Sequence, residues 1–431
     1  MTDNTYNFLL KSQWWSVRKI SRYQNRELKK LIEHAYKNVP YYKTIMDELG
    51  LKPNNIRKTS DLSRLPFLTK DAIISYSNEL LATNINTDEI RQVTTGGTTG
   101  TPIKIFRNRV LEDPKEKDFI FHAWSRFGIN LDDKGTVLTG NRFAGKFENH
   151  RFKESKELLF FSCPTIPTNK DWQDLYNKLL EFKPAYLRGY PSIITMFSRY
   201  LIENNISAPP SIRAVFYSSE NLYDWQQEYI MNAFKIRPIG LYGQSERTVM
   251  ATGCEYSSEY HVMPEYGFIE LVDENDNLIT EPNQTGEIVA TSFINYAMPF
   301  IRYKTGDLAH YSINKCKCGR NHIVLPKIDG RTREFVIDKN NNKILFGPSI
   351  YGDLWKHDNL FKQVQFIQNE IGHLNIKVVP TAPKDIIEKQ FTETLTKSLG
   401  TSISIKILIE EKIERTTSGK QPLFVQNIKE V

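Results

Sequence analysis

The spacing of apolar residues changes along this chain, and the changes divide it. From Tyr23 to Leu49 apolar side chains recur at helical intervals (Leu28, Leu31, Ile32, Ala35, Tyr36), until Val39-Pro40-Tyr41-Tyr42 interrupts the run. Pro66-Phe67-Leu68-Thr69-Lys70-Asp71 is expected to start another helix. Short apolar runs then alternate with helical ones. Strand Thr136–Thr139 precedes helix Asp171–Leu180, strand Ala185–Arg188 precedes helix Ile193–Glu203, and strands Ile212–Tyr217 and Ile236–Leu241 flank helix Trp225–Phe234. This alternation predicts parallel sheet covered by helices. After Gly267 the texture turns to β, with strands expected at Phe268–Val272, Gly286–Thr291 and Ile323–Ile328.

A further change comes at Asp329-Gly330-Arg331-Thr332-Arg333-Glu334. Beyond it, strands Phe335–Ile337 and Lys343–Leu345 flank the turn Lys339-Asn340-Asn341-Asn342, with a helix near Ile350–Trp355. Strands Val364–Gln368 and Leu374–Val379, helix Ile386–Leu399 and strand Ile403–Ile409 complete the pattern. The expected fold class is α/β, with a large body over residues 1–332 and a small α+β unit over 333–431. At 431 residues the length also favours two to three domains.

Composition narrows the partners. The chain is 40 % hydrophobic and 25 % charged, as in ordinary globular proteins. A net charge of +7 suits anionic ligands such as nucleotides and gives no basis for nucleic-acid binding. Four cysteines cannot frame disulfides for this length, which points to a reducing compartment. Met1–Lys19 lacks the apolar core of a signal peptide, and no run of about eighteen apolar residues occurs, so no membrane span is expected. The expected location is cytoplasmic.

Candidate chemistry begins at Thr94-Thr95-Gly96-Gly97-Thr98-Thr99-Gly100-Thr101-Pro102, which lacks any large side chain. Glycines let backbone N–H groups converge on an anion, and threonine hydroxyls add donors, so the loop is suited to a polyphosphate. It lacks the Gly-Lys-Ser/Thr ending of a Walker loop. Tyr217-Ser218-Ser219-Glu220 ends a strand, where open α/β sheets place ligand loops. Tyr242-Gly243-Gln244-Ser245-Glu246 offers an aromatic face for a base and one carboxylate, Glu246, a natural Mg²⁺ ligand beside phosphates. In Tyr303-Lys304-Thr305-Gly306-Asp307 a carboxylate follows a turn, where it could accept both ribose hydroxyls. Arg415-Thr416-Thr417-Ser418-Gly419-Lys420 presents a lysine near the C-terminus. Singly, such loops are ordinary surface turns; their order along one chain carries the signal.

In that order the motifs resemble the adenylate-forming superfamily of acyl-CoA synthetases, peptide-synthetase adenylation domains and luciferases. The matching residues are Thr95 to Pro102, Tyr242 to Glu246, Tyr303 to Asp307, Asp329 to Arg331, and Ser418 to Lys420. The opening, His34, Asn38-Val39-Pro40-Tyr41-Tyr42 and Leu65-Pro66-Phe67-Leu68-Thr69-Lys70, is most similar to the phenylacetate–CoA ligase branch, especially its members associated with capsular polysaccharide synthesis. The resemblance implies attack of a carboxylate on the α-phosphate of ATP, then displacement of AMP by a thiol or an amine. It implies that Lys420 bridges carboxylate and phosphate and that Glu246 holds Mg²⁺ at the leaving pyrophosphate. Arg331 would hold the ribose and phosphate region and Asp307 the ribose, while Ser218, Ser219, Glu220 and Tyr242 would surround the adenine. A mobile C-terminal cap is also implied, with its hinge at Arg333-Glu334, where relatives often carry two acidic residues.

The cysteines suggest a metal. Cys316-Lys317-Cys318-Gly319-Arg320 is a tight pair on a turn, and Cys254 lies seven residues before His261. Together they supply a Cys₃His set suited to structural Zn²⁺, with His322 as a substitute for His261. The resembled branch has cysteines in similar places. Cys163, between Ser162 and Pro164, is expected to be a packed thiol.

The acyl pocket is less defined. Gly189-Tyr190-Pro191-Ser192 resembles a substrate-side turn, and a strand-to-helix connection with Ser192 as N-cap explains it equally well. Trp124, Phe127, Asn141, Arg142 and Phe143 are further lining candidates, although aromatic residues more often belong to the core. The leading expectation is an AMP-forming ligase acting on a small or sugar carboxylate, with CoA or an amine as acceptor, in glycan biosynthesis. A phenylacetate–CoA ligase in catabolism is the alternative, and a non-catalytic nucleotide-binding scaffold is the reading of another class.

Overall fold

A computed structural model of the chain describes residues 5–94, 103–140, 151–164, 167–331, 335–345, 354, 357–414 and 422–428. Two compact units result. The first comprises Met1–Thr95, Thr101–Leu131 and Ile239–Ile328; the second comprises Gly96–Gly100, Asp132–Pro238 and Asp329–Val431.

In the first unit, helix Val17–Asn38 buries Ile20, Leu28, Leu31, Ile32 and Ala35, the face that the spacing predicted. It begins six residues before Tyr23 because Ser16 caps it, accepting from Lys19 N. Pro40 interrupts that helix and starts the next, Pro40–Glu48, at its first position. These helices share a core with Phe293, Met298, Phe300, Ile301 and Tyr303. Antiparallel strands Leu278–Ile279, Gly267–Val272, Gly286–Ser292 and Tyr303–Ala309 lie side by side in that order. A second antiparallel group runs Val324–Leu325, Tyr260–Val262, Met250–Thr252, Ile239–Gly243. Helix Glu112–Ser125 also belongs to this unit, and the sequence pattern gave no sign of it. It buries Glu112 and His122 as well as Phe119, Phe121, Ala123 and Trp124, so no clean apolar stripe marks it.

In the second unit, parallel strands run in the order Leu158–Ser162, Gly135–Thr139, Tyr186–Gly189, Ala214–Ser218. Phe152–Glu154 joins the edge antiparallel. Helices Asn169–Phe182, Pro191–Glu203 and Asp224–Phe234 supply the core around Trp172, Ile194 and Phe197, as strand–helix alternation predicts. Cys163 is fully buried in it. The C-terminal part pairs Phe361–Glu370 with His373–Pro380, flanks them in parallel with Phe424–Gln426 and Ser404–Ile409, and adds helix Lys384–Leu399. Its own core includes Phe366, Ile376, Phe391 and Leu395.

Prolines account for two boundary errors. The strand expected at Ile236–Leu241 begins at Ile239, after Pro238, which cannot donate to a ladder. The strand expected at Ile323–Ile328 is two, Val324–Leu325 and Ile328–Arg331, divided at Pro326. The helix expected near Ile350–Trp355 lies mostly outside the described residues.

Candidate active site and metal cluster

Two motif carboxylates are each fixed by a tyrosine from another motif. Asp307 Oδ2 accepts from Tyr242 Oη at 2.8 Å and from Gln244 Nε2 at 3.1 Å. Gln244 Nε2 also reaches Tyr242 Oη at 3.0 Å, and its Oε1 accepts from Thr248 Oγ1 at 2.6 Å, which orients the amide. Glu246 Oε1 accepts from Tyr303 Oη at 3.1 Å. Glu246 is 8 % exposed and Asp307 6 %, so both oxygens act in a site with little water.

Asp307 does not follow a turn, as the sequence suggested; it lies on a bulged strand. Glu287 pairs with Leu308 and Val289 with Lys304, which leaves Thr305, Gly306 and Asp307 opposite Ile288. Gly306 takes φ +76°, open to glycine without strain, and donates its N–H to Glu287 Oε1 at 2.9 Å. Thr305 Oγ1 donates to Ile288 O at 2.8 Å. The bulge turns Asp307 toward Tyr242 and Gln244.

The turn that carries Glu246 is held by residues that sequence reasoning missed. Arg247 is 4 % exposed and sits at φ +55°, a left-handed conformation that costs a non-glycine residue about 1–2 kcal/mol. Its guanidinium lies 2.7 Å from Asp113, 3.6 Å from Glu116 and 3.7 Å from Glu112, all in the first turns of helix Glu112–Ser125. Burial opposes the charge of Arg247, yet Glu116 and Asp113 hold its pKa above the ordinary arginine value. Burial pushes the Glu112 carboxyl up to about 7. Tyr266 Oη donates to Glu116 at 2.5 Å, Ser292 Oγ donates to Arg247 O at 2.6 Å, and the Arg107 guanidinium donates to Ser245 O. Gly267 completes the fit, since a Cβ there would lie 2.4 Å from Thr248 O. The one sequence signal was that Arg247 directly follows the motif.

The structure brings Cys254, His261, Cys316 and Cys318 together, with ligand atoms all within 4.8 Å of one another. Cys254 Sγ lies 3.4 Å from Cys316 Sγ, and Cys318 Sγ lies 3.9 Å from His261 Nε2. A tetrahedral zinc site with bonds of about 2.3 Å has sulfur–sulfur edges of about 3.8 Å, so this donor set fits Zn²⁺. Strand pairing explains the placement: His261 lies on Tyr260–Val262, opposite Thr252 on one side and Val324 on the other. Burial lowers the His261 pKa to about 4, which keeps the ring neutral. His322, the substitute considered from sequence, stands outside this set, its ring centroid 6.0 Å from that of His261. Arg320 donates to Glu255 at 2.9 and 3.1 Å and to Gln13 Oε1 at 2.8 Å, bracing the cysteine turn.

In the second unit, Ser218 ends strand Ala214–Ser218 and Ser219 takes φ +71°. Glu220 Oε2 accepts from Ser192 N at 3.1 Å, joining two sequence-predicted loops. Ser192 is not the N-cap of helix Pro191–Glu203. That place is taken by Tyr190, with Pro191 at the first position. Tyr190 is 4 % exposed and packs in the core. In the first unit Trp124, at 2 % exposure, is likewise a core residue. Arg331 is the last residue of strand Ile328–Arg331. Thr95–Gly100, Asn141, Arg142, Phe143, the hinge candidates Arg333 and Glu334, and Lys420 lie outside the described residues.

The chain is similar to several known proteins. Residues 338–427 match the family model of the CapK C-terminal domain. The chain is 23 % identical to protein CapK of Staphylococcus aureus over 413 residues, 94 % of this chain and 89 % of CapK. It is 25 % identical to the phenylacetate-coenzyme A ligase of Thermus thermophilus over 342 residues, 75 % of this chain and 73 % of the ligase. Its fold matches that of 2-hydroxyisobutyryl-CoA ligase in the postadenylation state with a TM-score of 0.74 at 16 % identity, covering 96 % of this chain and 91 % of that one. The motifs, the fold and these relatives agree: the chain is similar to the adenylate-forming superfamily, and within it to the phenylacetate–CoA ligase-like branch.

Proposed function

We propose that this chain is an ATP-dependent, AMP-forming ligase that activates a carboxylate and passes the acyl group to a thiol or an amine. In the first step a carboxylate oxygen attacks the α-phosphorus and the bond to pyrophosphate breaks. In the second, the acceptor attacks the acyl carbon and AMP leaves. The observation that supports this most is the cross-pairing of Tyr242 and Gln244 with Asp307, and of Tyr303 with Glu246. It fixes two carboxylates in advance, one suited to ribose hydroxyls and one to a hard cation.

The first step joins two anions, so oriented positive charge must lower its barrier. Glu246 would hold Mg²⁺, which supplies charge at the leaving pyrophosphate. Thr95–Gly100 would wrap the phosphates with backbone N–H groups, and Lys420 would donate to the carboxylate and α-phosphate oxygens. Asp307 would accept from the ribose. Arg331 would hold the ribose and phosphate region, and Ser218, Ser219, Glu220 and Tyr242 would border the adenine. Tyr190, Pro191, Ser192 and Asn141 would border the acyl group. Cys254, His261, Cys316 and Cys318 would hold one Zn²⁺. Four protein ligands leave no position for a reacting water, so the metal would cross-link loops and take no part in the chemistry.

The C-terminal match to CapK and the similarity to CapK along 94 % of the chain favour the capsule-associated side of the resemblance, for which a small acid or uronic-acid sugar, within glycan synthesis, is the proposed substrate class. The similarity to phenylacetate-coenzyme A ligases supports an aryl acid and CoA as the second reading. Acid-dependent exchange of labelled pyrophosphate into ATP, run over uronic, short-chain and aryl acids, tests the proposal and ranks the acids. Exchange with one class is the expected result. Binding of ATP with no exchange for any class would favour a scaffold instead.

A further inference from the structure

We propose that the face formed by Leu10–Arg22 and the Ile313–Ile323 segment docks on an anionic lipid bilayer. Contacts bring the two segments together. The ring of Trp14 lies 4.6 Å from the Arg320 guanidinium, Gln13 accepts from Arg320 Nε at 2.8 Å, and Asn321 Nδ2 donates to Trp15 O at 3.0 Å. The turn between helices Thr5–Ser12 and Val17–Asn38 therefore rests on the Arg320–Asn321 stretch.

Around that contact, large apolar side chains point outward. Trp14 is 53 % exposed, Val17 66 %, Ile313 65 %, Leu10 37 % and Ile323 36 %. Single exposed apolar residues are ordinary on a protein surface, whereas several on two touching segments mark an interaction face.

Charge identifies the partner. Leu10–Arg22 contains Lys11, Arg18, Lys19 and Arg22 and no acid. Lys315 and Lys317 add exposed cations on the other segment. Lys11, Arg18, Arg22, Lys315 and Lys317 have no ion pair among the described residues, and Lys19 lies over the Trp15 ring at 4.4 Å. An indole and aliphatic tips ringed by lysine and arginine suit the boundary between lipid headgroups and acyl chains. A second copy is the poorer occupant, since a two-fold contact would set this cationic face against itself.

The test uses the full chain purified with zinc, sedimented with vesicles of phosphatidylcholine alone or mixed with phosphatidylglycerol. The proposal expects partition to the mixed vesicles only, weakened by salt, with a blue shift of tryptophan emission that Trp14→Phe reduces. Each cation near an anionic surface contributes about fivefold to partition, so Arg18→Gln with Lys317→Gln should lower it about 25-fold without altering the melting temperature. Val17→Ser, at a still more exposed position, should also weaken binding. Equal binding to neutral vesicles, no binding to mixed ones, or a dimer in solution that Val17→Ser dissolves would overturn the proposal. None of these readouts depends on the ligase activity.

Discussion

Tyr303→Phe removes one oxygen and isolates the support of Glu246. The ring is 4 % exposed and meets Phe300 edge-on with centroids 5.3 Å apart, so its packing survives the change. What disappears is the donation to Glu246 Oε1 at 3.1 Å. Hydrogen bonds to charged groups contribute about 1.5–3 kcal/mol. This one is longer than the roughly 2.5–2.7 Å usual for O–H···O⁻ contacts, which places it near ~1.5 kcal/mol, or about tenfold. If Glu246 is the magnesium ligand, the loss should appear as an approximately tenfold rise in the Mg²⁺ concentration giving half-maximal pyrophosphate exchange. The rate at saturating Mg²⁺ and the melting temperature should change little. Glu246→Gln should raise the Mg²⁺ requirement further, because an amide is a poorer ligand for a hard cation. On that background Tyr303→Phe should add no more than about twofold, the mark of two residues acting through one contact. Independent, multiplicative effects, or a wild-type Mg²⁺ titration for Tyr303→Phe, would refute the reasoning.

Lys420→Ala should lower adenylation at least ~100-fold with unchanged circular dichroism, as for loss of a donor to developing charge. The second step, started from purified acyl-adenylate, should survive; near-normal pyrophosphate exchange would remove Lys420 from its role. Protein washed with a weak chelator should retain about one zinc per chain by elemental analysis, and Cys316→Ser with Cys318→Ser should lower the melting temperature first and activity second. Absence of zinc, or unaltered melting of that variant, would contradict the metal assignment. Arg247→Met leaves the buried Glu112 and the half-buried Glu116 without their nearest cation, while Asp113 keeps Arg91 at 3.1 Å. It should destabilise by about 3–5 kcal/mol in urea unfolding, with part recovered on adding Glu116→Gln. Unchanged unfolding would show that the carboxylates do not depend on Arg247.

The strand–helix alternation of the second unit was legible because each strand there is an apolar run bounded by polar turns, and each helix keeps an apolar stripe. Helix Glu112–Ser125 was not, because it buries Glu112 and His122 together with its aromatics. The same helix supplies the carboxylates that hold Arg247. Those contacts join residues more than 130 positions apart and depend on a left-handed arginine, neither of which a local pattern records. Tyr242, Glu246 and Asp307 could be singled out because their motifs carry chemistry in a short span. That Tyr242 would serve Asp307, and Tyr303 Glu246, follows from the bulge at Thr305–Asp307 and from strand order, which no motif shows. The cysteine set and His261 were both readable from spacing; the pairing of Tyr260–Val262 with its neighbours supplies the physical reason that His261 joins the set and His322 does not.

The central claim is that a carboxylate oxygen attacks the α-phosphorus of ATP, and oxygen labelling tests it most directly. With the acid that supports exchange, labelled with ¹⁸O in its carboxyl group, and an acceptor thiol or amine, the account predicts one ¹⁸O in the phosphate of AMP and none in pyrophosphate. Formation of ADP with the label in inorganic phosphate would contradict it.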